Sequence, residues 1–165
     1  MRWFPVLLLA YAVIGIQAGA GALLRVDGVG PNFGLLLAVF VSLCAEREPA
    51  LLACVVIGAM QDLATGQAPG LYALSYGLSG WFIASLQNVV YRQHPLTHAT
   101  LVLVAGIISG LVIYLHGRYP GPRVSLSLLM GSAVYTTLLA PPALWLLQRS
   151  RRLLGMPLSR RRGYL

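Results

Sequence analysis

Six apolar runs, separated by brief polar breaks, take up almost all of this 165-residue chain. Hydrocarbon offers no water to satisfy backbone N–H and C=O groups, so runs of this kind fold as helices bonded within themselves. The runs cover residues 3–24, 31–45, 49–64, 71–90, 99–115 and 125–147. At 1.5 Å per residue, about 20 residues cross the roughly 30 Å hydrocarbon layer. The second and third runs are shorter than that. Fusing them into one re-entrant loop would carry Glu46, Arg47 and Glu48 deep into lipid, where each charge costs several kcal/mol. Two thin or tilted spans are therefore expected. The fold class read from this pattern is an all-α integral membrane protein of about six transmembrane helices, forming one transmembrane domain. With 58% hydrophobic and 10% charged residues, the chain lies outside the usual range of soluble domains. Arg2 and the small residues around Ala18 to Ala20 also have the layout of a signal peptide. The first run is longer than most h-regions, so it is read as a retained span.

Charge orients the bundle. Every cationic residue is an arginine, and the net charge is +8. With six spans both termini share a side, and that side holds Arg2, Arg47 and Arg92 together with the tail residues Arg149, Arg151, Arg152, Arg160, Arg161 and Arg162. Only Arg25, Arg118 and Arg123 lie on the other. The positive-inside rule then places both termini, and a basic tail over residues 148–165, in the cytoplasm. Arginines in such a tail meet anionic lipid headgroups, so the high pI does not imply nucleic acid. The connection from Asp62 to Gly70 faces outward.

Chemistry-bearing residues are few. Cys44 and Cys54 sit in apolar runs without metal-ligand spacing and are read as buried thiols. Neither a metal nor a cofactor is expected. His94 and His98 flank Pro95 in a turn without a third ligand, so surface histidines are expected there. Gly77-Leu78-Ser79-Gly80 has the GxSG form of a rhomboid serine protease. A serine nucleophile needs a histidine base from a facing helix, and the sixth run has none. His116 lies at the far end of the fifth run, so Ser79 is read as a small packing residue and the protein as a non-enzyme. Gly15 with Gly19 and Gly106 with Gly110 are GxxxG pairs suited to helix packing. Pro141 and Pro142 should kink or end the sixth helix.

The densest signal is the block from Gly58 to Gly77. Asp62 falls near a helix C-terminus, where the macrodipole disfavours an anion, so it needs donors such as the loop amides around Gly66 or the hydroxyls of Thr65 and Tyr72. It either orders the loop or contacts a partner. Gln61, Asp62, Gly66, Pro69, Gly70, Tyr72 and Tyr76 are the candidate partner-binding or loop-ordering residues.

The six spans, the basic tail and the block of Gly58, Gln61-Asp62, Gly66, Pro69-Gly70 and Tyr72-Ala73-Leu74 together resemble the MreD family of bacterial rod shape-determining proteins. The lead into the second run, Gly30-Pro31-Asn32-Phe33, is similar to that family's Arg-Pro-Asp lead, with Asn32 where the acid is common. The resemblance implies a non-enzymatic inner-membrane component of the elongation machinery that lays down side-wall peptidoglycan. It implies MreC as the main partner, within a wider complex of MreB, RodA and a class B penicillin-binding protein. It also implies a fold similar to the S components of energy-coupling vitamin transporters. A small-molecule-binding transport subunit of that kind is the alternative reading, and it would need a polar pocket open to the outside.

Overall fold

The computed structural model describes residues 2–21, 23–66, 68–86, 95–116 and 125–150. They form six helices: α1 (Trp3–Ala20), α2 (Phe33–Cys44), α3 (Arg47–Thr65), α4 (Leu71–Leu86), α5 (Pro95–His116) and α6 (Leu126–Ser150). Four of them, α1, α3, α5 and α6, are long and apolar enough to cross a membrane, while α2 and α4 are shorter apolar helices.

α2 is the axis of the bundle and touches each of the other five helices. Every residue from Gly34 to Leu43 is buried. Its 12 residues span only about 18 Å. A helix sheathed by protein on all sides has no lipid-facing backbone to protect, so this short length costs little. Asn32 starts it by accepting the Leu35 N–H at 3.0 Å, the role for which Asn is among the best residues. Ala45 and Glu46 turn the chain directly into α3, with Glu46, Arg47 and Glu48 exposed.

α1 is the opposite case. It packs on α2 and α3 through Val6, Ala10 and Ile14, one residue per turn, and leaves Phe4, Leu8, Tyr11 and Ile16 exposed. After α1, Asp27 (φ +51°) and Gly28 (φ +81°) make a tight hairpin turn, closed by reciprocal N–H to C=O bonds of 2.9 Å between Val26 and Val29. Consecutive positive φ angles at an Asp-Gly pair are the signature of such turns. Ser132 of α6 holds the strap by donating to the Gly30 carbonyl at 2.8 Å.

α6 does not end at Pro141 and Pro142 but continues through both to Ser150. Ala140 and Leu144, on either side of the pair, are buried in the core. Packing on both sides holds the helical path where two backbone hydrogen bonds are lost.

Candidate functional site

The α3–α4 turn is built around one carboxylate. Gly66, in the left-handed conformation (φ +62°), ends α3 and donates its N–H to the Asp62 carbonyl. Thr65 donates its hydroxyl to the Gln61 carbonyl at 2.8 Å, which satisfies a second group of that last turn. The Asp62 side chain reaches forward across the turn. Its Oδ2 accepts the N–H groups of Gly70 (3.0 Å) and Ala73 (3.2 Å), and its Oδ1 accepts that of Tyr72 (2.8 Å). Gly70 stands directly before α4, and Tyr72 and Ala73 lie in its first turn, where amides have no intrahelical partner and lie at the positive end of the dipole. The donors therefore differ from the Gly66-region amides and the Thr65 and Tyr72 hydroxyls expected from sequence. The chain folds back so tightly that α4's own N-terminus arrives first. Gly58 permits this approach: a Cβ there would collide with the Tyr72 carbonyl oxygen and lie 2.5 Å from the Ala73 Cα. Asp62 is buried, while Gly66, Pro69 and Gly70 are exposed, so an internal clamp carries an exposed turn.

Gln61, next to Asp62, faces a different environment. It lines a cavity of about 700 Å³ at the same end of the bundle. The walls come from Gln17 and Ala18 of α1, the strap through Arg25, Gly28 and Pro31, Asn32 at the head of α2, Thr65 and Tyr72, and Leu128 and Ser132 of α6. Beneath lies a polar network. The side-chain oxygen of Gln17 accepts the Gly34 N–H at 3.1 Å. Tyr76 Oη donates to Asn32 Oδ1 at 2.6 Å. The Asn32 N–H donates to Thr136 Oγ1 at 3.0 Å. Gln61 Oε1 alone has no partner among the buried side-chain oxygens and nitrogens of the described residues.

The model of the MreD family, rod shape-determining protein MreD, matches residues 1–148. The chain belongs to the MreD family. Comparisons with curated proteins and with solved structures return no match. MreD is a membrane-associated family of shape-determining proteins and not a known enzyme family.

The remaining residues singled out by sequence divide between packing and open surface. Gly106 and Gly110 of this MreD-family chain lie where α5 meets α6: a Cβ at Gly106 would come 2.9 Å from that of Ala133, and one at Gly110 would lie 3.6 Å from that of Leu129. Gly15 and Gly19 are not at a helix contact among the described residues, none of which stands within 4 Å of a Cβ at either position. They lie off the Val6–Ala10–Ile14 stripe that α1 uses for packing. Ser79, buried, donates to the Ser75 carbonyl at 2.8 Å within its own helix. Cys54 is buried and within 3.1 Å of Ser42 Oγ. His98 falls in the first turn of α5 and not in a loop, and His94 lies outside the described residues. Among the described residues no three His, Cys, Asp or Glu side chains are grouped for a metal. Arg149 occupies the last turn of α6, whereas Arg151, Arg152, Arg160, Arg161 and Arg162 lie outside the described residues.

Sequence reading missed Gln17, Ser132 and Thr136, and noted Asn32 only as a departure from the family's lead into the second run, without its bonds. The available signals were a lone amide inside an apolar helix and a Pro-Asn pair directly before another, the second being an N-cap pattern.

Proposed function

We propose that this MreD-family chain is a non-enzymatic scaffold of the bacterial cell-elongation machinery, supporting side-wall peptidoglycan synthesis by holding MreC. All six helices cross the inner membrane as one domain, with both termini and the basic tail over residues 148–165 in the cytoplasm. MreB, RodA and a class B penicillin-binding protein belong to the wider complex. The observation that carries this reading is the family match over residues 1–148. The arginine bias supports the orientation, and arginines 149, 151, 152, 160, 161 and 162 then contact anionic headgroups.

The docking place we assign is the outward α3–α4 turn with the adjoining helix faces. A preformed surface binds with less ordering entropy than a loose one, and the Asp62 clamp supplies such a surface at Gly66, Pro69 and Gly70. Leu63 and Leu74 extend it with exposed apolar side chains. Between helices in lipid, packing and polar contacts decide association, since apolarity alone does not distinguish protein from lipid.

Affinity purification of the tagged chain from detergent-solubilised membranes tests the reading. A single-span partner with a large periplasmic domain should co-elute in fixed stoichiometry, and depletion of the chain should turn rods into spheres. Elution without any protein partner, with cell shape intact after depletion, would remove it.

A further inference from the structure

The cavity beside the turn has a chemistry that partner docking leaves unused. Its volume, about 700 Å³, lies within the roughly 300–1,000 Å³ of small-molecule sites. Hydrogen bonds fix how its amides point. Gln17 accepts the Gly34 N–H and Asn32 accepts the Leu35 N–H. A backbone N–H only donates, so the accepting atoms are the oxygens, and the NH2 ends of both side chains are left over as donors. The Arg25 guanidinium and the positive end of the α2 dipole add to them. No described lining residue is acidic. The site as a whole attracts an anion.

Acceptors are present as well. Gln61, 2% exposed, lines the cavity with its side-chain oxygen unpartnered. Thr65 and Ser132 donate their hydroxyl protons to the carbonyls of Gln61 and Gly30, which leaves lone pairs free. A bare anion would satisfy only the donors. A ligand that is both anionic and hydroxylated satisfies both sets.

We infer that this cavity binds a polyol phosphate headgroup, with the phosphate drawn to Arg25 and the head of α2 and the hydroxyls donating to Gln61 and Thr65. The site stands whether or not a protein partner docks on the neighbouring turn. The same headgroup chemistry comes from a lipid, phosphatidylglycerol, or from free glycerol 3-phosphate.

The full chain in phosphatidylcholine nanodiscs separates these sources. Glycerol 3-phosphate is titrated in one arm and the phosphatidylglycerol fraction is raised in the other, with thermal unfolding and native mass spectrometry as readouts. One retained equivalent is expected. Arg25→Gln, at an exposed position that leaves the fold intact, and Gln61→Leu should each weaken binding roughly tenfold. Arg149→Gln should leave it unchanged. Binding of phosphatidylglycerol alone identifies the lipid as the source, and binding of both probes identifies the free headgroup as sufficient. The inference is overturned if neither probe is retained, or if retention is insensitive to Arg25→Gln and Gln61→Leu, as it would be for headgroups held by the arginine tail.

Discussion

Gln61 and Asp62 are consecutive, equally apt for hydrogen bonding and both buried, yet they serve regions of opposite character. Asp62 points into the α3–α4 junction, where three amides occupy its two oxygens. Gln61 points toward the junction of α1, α2 and α6, where its oxygen stays unpartnered beside a cavity. One region is closed by its polar groups and the other is held open around them. An unmet buried polar atom costs about 1–3 kcal/mol, so the open region gives up stability that the closed one keeps.

Substitutions break or sharpen this contrast, and their effects should fall in a definite order. Gly58→Val should be the most damaging, since the new side chain meets backbone of α4 and not a movable side chain. A loss of about 3 kcal/mol or more, seen as failure to accumulate in membranes, is expected. Asp62→Ala removes the clamp and leaves three amides at the head of α4 without their acceptor. Its cost should be about 2–3 kcal/mol in detergent unfolding, with Asp62→Asn intermediate because one oxygen remains. Tyr76→Phe deletes a single donor to Asn32 and should cost about 1 kcal/mol by the same assay. Gln61→Leu should change stability by less than about 1 kcal/mol in either direction, because it removes an acceptor that has no donor. A cost equal to that of Asp62→Ala would erase the distinction between the two regions. Gly15→Ala and Gly19→Ala, which meet open space, should be neutral or raise stability by up to about 1 kcal/mol through helix propensity.

Much of the helix layout was legible, because unbroken apolar length is a direct requirement of a nonpolar solvent. What surrounds each helix was not. In water a buried helix and a surface helix differ in their apolar pattern, but lipid is as apolar as a protein core. The runs of α1 and α2 therefore look alike, although one is largely exposed and the other is the axis of the bundle. The same blindness applies to the glycine pairs: Gly106 and Gly110 meet α6 while Gly15 and Gly19 meet none of the described residues, and no spacing distinguishes them. The importance of Asp62 showed in its residue type. Its donors did not, since they arrive from 8 to 11 residues further along through a turn that only Gly58 lets close. The cavity was least visible. Its polar groups are single residues scattered over five of the six apolar runs and their connections, and contacts such as Asn32 with Thr136 join positions 104 apart.

The central claim is that a turn locked from inside by one carboxylate presents the docking surface. Photo-crosslinking in living cells, with the reactive residue placed in turn at Leu63, Gly66, Pro69 and Leu74, tests it most directly when run in the native chain and in Asp62→Ala at matched membrane levels. Adducts to one single-span partner are expected in the native chain, with their loss in the variant. Adducts of undiminished yield without the clamp, or no adduct at any of the four positions in the native chain, would contradict it.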